Sequence, residues 1–248
     1  MSPPDRDADL PEGYGIVEAG HAWAFALPPV RSWVEEALAG GTLHRRAATE
    51  ALETLRGRGP VHVVRVAGAP RVVRHYLRGG AVAAILDDRY LRWGTARPLR
   101  EARASEAARR RGIPTPRVSA GAVYPAGVFY RADLLTDYVP DSRELAGVLF
   151  GEGGARERRE ALVAAGTLIG RMAAAGVRHP DLNARNVLVS STERGLRALL
   201  LDLDRCAVTR APEPVASGPM VERLLRSIRK LSRTLEGAPG PGPDELQA

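Results

Sequence analysis

Two short stretches carry residue types and spacings suited to phosphoryl transfer. They are His179-Pro180-Asp181-Leu182-Asn183-Ala184-Arg185-Asn186-Val187-Leu188-Val189 and Leu199-Leu200-Leu201-Asp202-Leu203-Asp204. That reaction asks for little covalent chemistry. It needs a carboxylate to orient an attacking hydroxyl and take its proton, and oxygen ligands to hold Mg2+ on the phosphates of ATP. Asp181 follows a helical stretch and could meet the hydroxyl as catalytic base. Asn186 enters an apolar strand from the same loop, and Asp202 ends the strand that returns beside it, so both could serve as metal ligands. An Asp-x4-Asn spacing alone is common. Placed behind His-x-Asp and followed by an apolar strand, a polar turn and Leu-Leu-Leu-Asp, it becomes specific. His179 reads as a packing and hydrogen-bonding residue of the loop, not a chemical participant.

Such an enzyme also needs a cation on the α- and β-phosphates of the nucleotide, normally a strand lysine paired with a helix glutamate. The chain contains one lysine, Lys230, inside its last helical stretch. An arginine must substitute, and Arg74 in the strand Arg71–Tyr76 is the candidate, with Glu101 on the following helix as its partner and Glu106 as the second choice. Guanidinium keeps its charge and can bind phosphate through two N–H groups, so it is a workable but not equivalent replacement. Gly57 and Gly59, ahead of that strand pair, could form a short loop over the phosphates, because glycine lets a backbone come close.

The elements that would position these residues follow from periodicity and turn signals. A helix is expected over 44–55. Val61–Val66 and Arg71–Tyr76 should form a hairpin around Gly68-Ala69-Pro70. A helix over 99–111 should stop at Gly112, with Pro114 beyond it. Strands are expected at 118–124 and 128–135. Asp141 and Glu144 have the spacing of a capping box for a helix beginning there. A longer helix spans 156–175, and short strands cover 187–189 and 199–201. The last amphipathic helix runs over 220–235. This order, strands first and helices later without βαβ alternation, is α+β. The expected division is an N-terminal segment over 1–48, partly disordered, a β-rich lobe over 49–139, a reduced and mostly helical lobe over 140–236, and a disordered tail over 237–248.

Composition narrows the partners. The formal net charge is +7 in 248 residues, carried almost wholly by arginine, which suits an anionic partner. Aromatics make up 5% of residues and the arginines are spread along the chain, unlike a nucleic-acid-binding surface with clustered bases and interleaved aromatics. The single cysteine, Cys206, excludes an internal disulfide and fits a reducing compartment. No apolar run is long enough to span a bilayer, and Met1–Leu10 is polar and acidic, so a soluble or at most peripheral protein is expected.

The catalytic stretch resembles that of the protein-kinase-like superfamily. More closely, Arg74-His75-Tyr76-Leu77-Arg78-Gly79-Gly80, Asp88-Arg89-Tyr90-Leu91, Gly112-Ile113-Pro114-Thr115-Pro116, Asp202-Leu203-Asp204-Arg205 and Leu224–Lys230 together resemble the lipopolysaccharide core kinase family, over roughly residues 55–231. The resemblance implies a two-lobed kinase-like fold, with Asp181 as the active-site residue and Asn186 and Asp202 as magnesium ligands. It also implies transfer of the ATP γ-phosphate to a hydroxyl of 3-deoxy-D-manno-octulosonic acid (Kdo) on lipid A precursor, at the cytoplasmic face of a bacterial inner membrane. Arg78 and Arg89 are the candidates for the acceptor and membrane side. A heptose of the lipopolysaccharide core is the rival acceptor. Aminoglycoside- and choline-type kinases fit less well, since Asn183 stands where they carry histidine. Leu77 and Leu203 depart from the Arg and Phe expected in the family. Pro180 replaces the arginine of a His-Arg-Asp motif, which argues against activation through a phosphorylated loop.

Overall fold

Alternating apolar residues build the first part of the chain into antiparallel hairpins, seen in a computed structural model that describes residues 10–56, 59–77, 88–151, 153–193, 195–234 and 241. The chain divides into two units. Unit 1 takes residues up to Glu106 together with Arg117–Tyr138, and unit 2 takes Ala107–Pro116 and the chain from Val139 onward.

Among the described residues, unit 1 is an eight-stranded antiparallel sheet with helices on both faces. Its strands are β1 (Gly15–Ala19), β2 (Ala22–Ala26), β3 (Glu53–Arg56), β4 (Pro60–Val66), β5 (Ala69–His75), β6 (Tyr90–Leu91), β7 (Val118–Ala126) and β8 (Phe129–Asp137). They run in the order β1-β2-β7-β8-β5-β4-β3, with β6 added to β8. Side chains alternate across a strand, so successive residues enter different cores. Ala24 and Ala26 of β2 lie in one core with Val34 and Leu38 of α1 (Arg31–Ala39) and Leu43 and Ala47 of α2 (Leu43–Glu50). Trp23 and Phe25 lie in the other, with Leu99 and Ala102 of α3 (Arg97–Arg110). The two leucines of β8 part in the same way, Leu135 to the first core and Leu134 to the second.

Four expectations are corrected here. Residues 15–50, set apart as an N-terminal segment over 1–48, contribute two strands and two helices to the sheet unit, so that unit does not begin at 49. The helix expected over 44–55 ends at Glu50, and Glu53–Arg56 turns into β3, because pairing with β4 satisfies a backbone too short and polar to declare itself. The β4–β5 turn is Ala67-Gly68, both with positive φ, as in the two-residue turns that match strand twist; Ala69 and Pro70 already pair with β4. Asp141 and Glu144 form no capping box. Asp141 has φ +49°, Ser142–Glu144 forms strand β9, and the helix after it makes no side-chain cap.

In unit 2, α3 ends as its sequence predicts. Gly112 N–H donates to Arg109 C=O and Ile113 N–H to Ala108 C=O, the paired bonds that close a helix on a left-handed glycine. Helices α4 (Leu145–Phe150), α5 (Ala155–Ala174) and α6 (Gly218–Thr234) surround two small sheets. One has the order β12-β11-β9, from β11 (Val187–Thr192) and β12 (Gly195–Leu200); the other pairs β10 (Val177–Arg178) with β13 (Ala207–Val208). Buried Ala161, Ala165, Leu168, Ile169 and Met172 give α5 the apolar face its periodicity requires. No helix among the described residues is long and apolar enough to cross a membrane.

The sheet of unit 1 also holds a charged network. Asp133 on β8 is fully buried opposite His75 on β5. Its Oδ1 lies 2.6 Å from His75 Nδ1, and its Oδ2 accepts from the Tyr124 hydroxyl (2.8 Å) and the His44 backbone N–H (2.9 Å). The other nitrogen of His75, Nε2, faces Asp88 Oδ2 at 3.1 Å, and Arg131 binds the same carboxylate. Burial pulls the His75 pKa down, but the hydrogen bonds and charges of Asp133 and Asp88 outweigh it and leave it above 6.5. Its stabilising contribution is therefore complete below the unfolded value of about 6.5 and lost as pH rises through the higher folded value. The thermal midpoint should fall between pH 6 and 9, and His75→Gln should flatten that part of the profile. Calorimetry of both proteins across that range checks the expectation, and equal slopes would refute it.

Candidate active site

The chain leaves α5 at Gly176, whose φ is +70° and where a Cβ would stand 2.2 Å from Thr209 Oγ1. This sharp exit leads through β10 into the loop 179–186. The loop is fixed by side chains acting on its backbone. Buried His179 accepts the Asp181 backbone N–H on Nδ1 (3.2 Å). The Asp181 carbonyl accepts from the Asn183 side-chain amide (3.0 Å) and from that of Asn186 (3.4 Å). Asn183 Oδ1 takes the Arg185 N–H (2.9 Å). Ala184 N–H donates to Ser227 Oγ of α6, and its carbonyl accepts from Ala146 of α4, while Leu182 and Ala184 are buried. Burial lowers the His179 pKa, against the pull of the Asp202 and Asp181 carboxylates, so the ring is the neutral acceptor this bond needs.

Asn186 and Asp202 meet at the open end of the β11–β12 hairpin. Val187 pairs with Leu200, and Leu201 N–H donates to the Asn186 carbonyl at 2.8 Å, which sets Asp202 beside Asn186. Asp202 has left-handed backbone angles, φ 59° and ψ 55°, a conformation that non-glycine residues adopt mostly under local constraint. The Asn186 side-chain amide donates to the Asp181 carbonyl, so Oδ1 is the atom of that side chain that could ligate a metal. A neutral oxygen and a carboxylate are the donor set of Mg2+, which keeps several waters and takes further oxygens from phosphates. Among the described residues no group of three or more His, Cys, Asp or Glu side chains gathers to hold a metal ion. The residues fit magnesium.

Two further residues reach the base. Arg205 Nη1 donates to Asp181 Oδ2, and Arg223 Nη1 stands 3.5 Å from Oδ1. Sequence reading had not singled these out. They lie 24 and 42 residues from Asp181, and the one local signal was the position of Arg205 directly after Asp202-Leu203-Asp204.

In unit 1, β5 and α3 bring Arg74 and Glu101 together. Arg74 Nη2 lies 2.5 and 2.6 Å from the two Glu101 oxygens, the Tyr76 hydroxyl donates to Glu101 Oε2, and the guanidinium sits 4.7 Å over the Tyr76 ring. Glu106, the second choice, is instead bound by Arg117 at 2.9 Å and by Tyr14. Arg71 binds Asp137 and Ser119. Gly59 abuts Leu77, whose Cδ1 a Cβ would approach to 2.5 Å, so packing alone accounts for this glycine. Arg89 is exposed just ahead of β6. Gly57 and Arg78 lie outside the described residues.

A loop carboxylate near an asparagine and an aspartate in unit 2, and a strand arginine paired with a helix glutamate in unit 1, are residue types that phosphoryl transfer uses. Residues 44–236 match the Lipopolysaccharide kinase (Kdo/WaaP) family. The chain belongs to that family. It is 36% identical over 179 residues to 3-deoxy-D-manno-octulosonic acid kinase of Stenotrophomonas maltophilia, covering 71% of this chain and 68% of that protein. It is 37% identical over 186 residues to the enzyme of the same name from Xanthomonas oryzae, covering 73% and 70%. A solved structure, WaaP in complex with acyl carrier protein, is similar at 16% identity and a TM-score of 0.49, with 86% of this chain and 80% of that chain covered.

Two outcomes follow for the site. Asp181→Asn should cost about 10²–10⁴-fold in turnover while nucleotide binding and the thermal midpoint stay close to wild type. Near-normal turnover would remove Asp181 from the role of base. Arg74→Ala should weaken nucleotide binding more than Arg71→Ala, with Arg74→Lys retaining part of it. Because Arg74 balances a buried glutamate, its alanine variant should also lose stability, so binding is compared on the fraction that remains folded.

Proposed function

We propose that this protein transfers the γ-phosphate of Mg·ATP to a hydroxyl of the Kdo sugar on lipid A precursor, working as a peripheral protein on the cytoplasmic face of a bacterial inner membrane. The observation that supports the chemistry is the Asp181 backbone, held by His179, Asn183 and Asn186, which places its carboxylate on the loop that leads to Asn186. The choice of acceptor is supported by the two relatives named as kinases of this sugar.

The roles follow from charge and geometry. Asp181 orients the acceptor hydroxyl and takes its proton as the new O–P bond forms. When bound, Mg2+ neutralises charge on the β- and γ-phosphate oxygens. Asn186 and Asp202 are the residues that would hold it. Arg74 holds the α- and β-phosphates with a guanidinium whose position Glu101 and Tyr76 fix. The proposed acceptor is an acidic sugar on a phosphorylated lipid. Arg205 and Arg223, half-exposed or more beside the base, are groups of the kind that pair with a carboxylate.

Incubation with ATP, Mg2+ and Kdo-bearing lipid A precursor should give a product heavier by one phosphate, located on the Kdo residue by fragmentation. Phosphate on a heptose-bearing acceptor only would overturn the assignment of the sugar. Excess EDTA should stop transfer, and Asp202→Asn should lose activity and Mg·ATP affinity together. Transfer that survives EDTA would exclude magnesium from the reaction.

A further inference from the structure

We infer that the corner of unit 1 formed by β6 and the β7–β8 turn is a membrane-docking edge, in which Trp93, Leu91 and Val128 enter the headgroup region of an anionic bilayer and Arg89 and Arg92 meet its phosphates. The inference rests on the peripheral membrane reading proposed above and adds an apolar anchor to it.

Trp93 is 92% exposed, Leu91 55% and Val128 68%. Half of the large apolar side chains exposed among the described residues thus stand at this corner. Single exposed apolar residues are ordinary on a protein surface; three at one corner, among them a tryptophan 92% exposed, are not. The cluster is built by backbone contacts. Leu91 pairs with Phe129 across β6 and β8, Arg92 N–H donates to Val128 C=O at 2.9 Å, and Arg92 Nη1 donates to Gly127 C=O at 3.2 Å. Beneath it, Tyr90 and Tyr130 are buried with ring centroids 5.7 Å apart, and Arg97 covers Tyr90, so the corner stands on a packed base.

Charge selects the occupant. Arg89 and Arg92 are exposed here, and Asp88, an acid beside them among the described residues, is bound by Arg131 and His75. A protein partner would need roughly 800 Å² on each side for a standard interface, more than three side chains on a turn supply. A bilayer asks for less: a tryptophan and aliphatic groups at headgroup depth, with basic residues among them. Such attachment has two parts, one screened by salt and one not.

The test uses the full chain with vesicles of phosphatidylglycerol and phosphatidylethanolamine. Wild type should co-sediment at low ionic strength, and its tryptophan emission should shift to the blue, since Trp23 is buried and Trp93 is the strongly exposed indole. At 1 M salt part of the binding should persist. Trp93→Ser should lose the shift and that residual binding, with partitioning about tenfold weaker, the scale expected for withdrawing part of a large apolar side chain. Arg89→Ala should reduce mainly the low-salt component. Trp93→Ser should also raise the KM for acceptor presented in vesicles while leaving that for a deacylated, water-soluble acceptor unchanged. If Trp93→Ser binds and shifts like wild type, the edge is wrong although the membrane reading stands. If wild type ignores the vesicles, both fail, while transfer to the soluble acceptor still reports on the kinase reading. A blue shift that grows with protein concentration without lipid would assign the corner to self-association and overturn the inference.

Discussion

The backbone of one residue, Asp181, organises the loop 179–186 in unit 2. The Asp181 N–H goes to a histidine ring, and its carbonyl takes two asparagine amides. A loop backbone usually finds partners in water or in a neighbouring strand; here side chains from its own sequence supply them. The arrangement demands a neutral His179, which burial supplies. It also links Asp181 to Asn186, whose side-chain amide donates to the Asp181 carbonyl. Loss of any one of these side chains would move several functional atoms together.

The first unit solves a different problem. It buries acids, Glu101 on the helix and Asp133 in the middle of the sheet, and each is countered by a group from β5, Arg74 and His75, neighbours in sequence with opposite facing. Glu101 and Tyr76 hold the Arg74 guanidinium, converting a long flexible side chain into a fixed one. The network around His75 runs through Asp88 to Arg131, so the end of β5, the residue just before β6 and β8 share one ionic tie.

Much of this could be read in the sequence where local signals agreed. α3 and α5 carry both periodicity and a terminating glycine, and the β4–β5 and β11–β12 hairpins carry apolar runs around polar turns. Asp181, Asn186 and Asp202 were legible because their spacing spans such a hairpin. Arg74 followed by elimination from the lack of lysine, and Glu101 from the neighbouring helix. What stayed hidden depends on partners far away in sequence. Strands β1 and β2 are five residues each and β2 is alanine-rich, so the pairing of β2 with β7 follows from Trp23 and Phe25 entering the core that holds Leu99 and Ala102 of α3, and β1 adds to β2. β3 is fixed by β4. The contacts of Arg205 and Arg223 with the base, and of His75 with Asp133, join residues 24 to 58 positions apart, which no pattern of spacing encodes. Trp93 was invisible for another reason: exposure belongs to the fold, and a lone tryptophan in a sequence reads as core.

The two arginine–carboxylate sites differ in what they can do. Glu101 is 5% exposed and Arg74 27%, so separating them would leave a buried charge at a cost on the order of 3–5 kcal/mol. That pair is a fixture. Arg205 is 64% exposed, Arg223 50% and Asp181 39%, and an ion pair open to solvent to that degree contributes about 0–1 kcal/mol. Exchange of partners there costs little. The weakness that makes these ion pairs poor contributors to stability therefore leaves the Asp181 carboxylate open to a change of partner, whereas the Arg74–Glu101 pair is not.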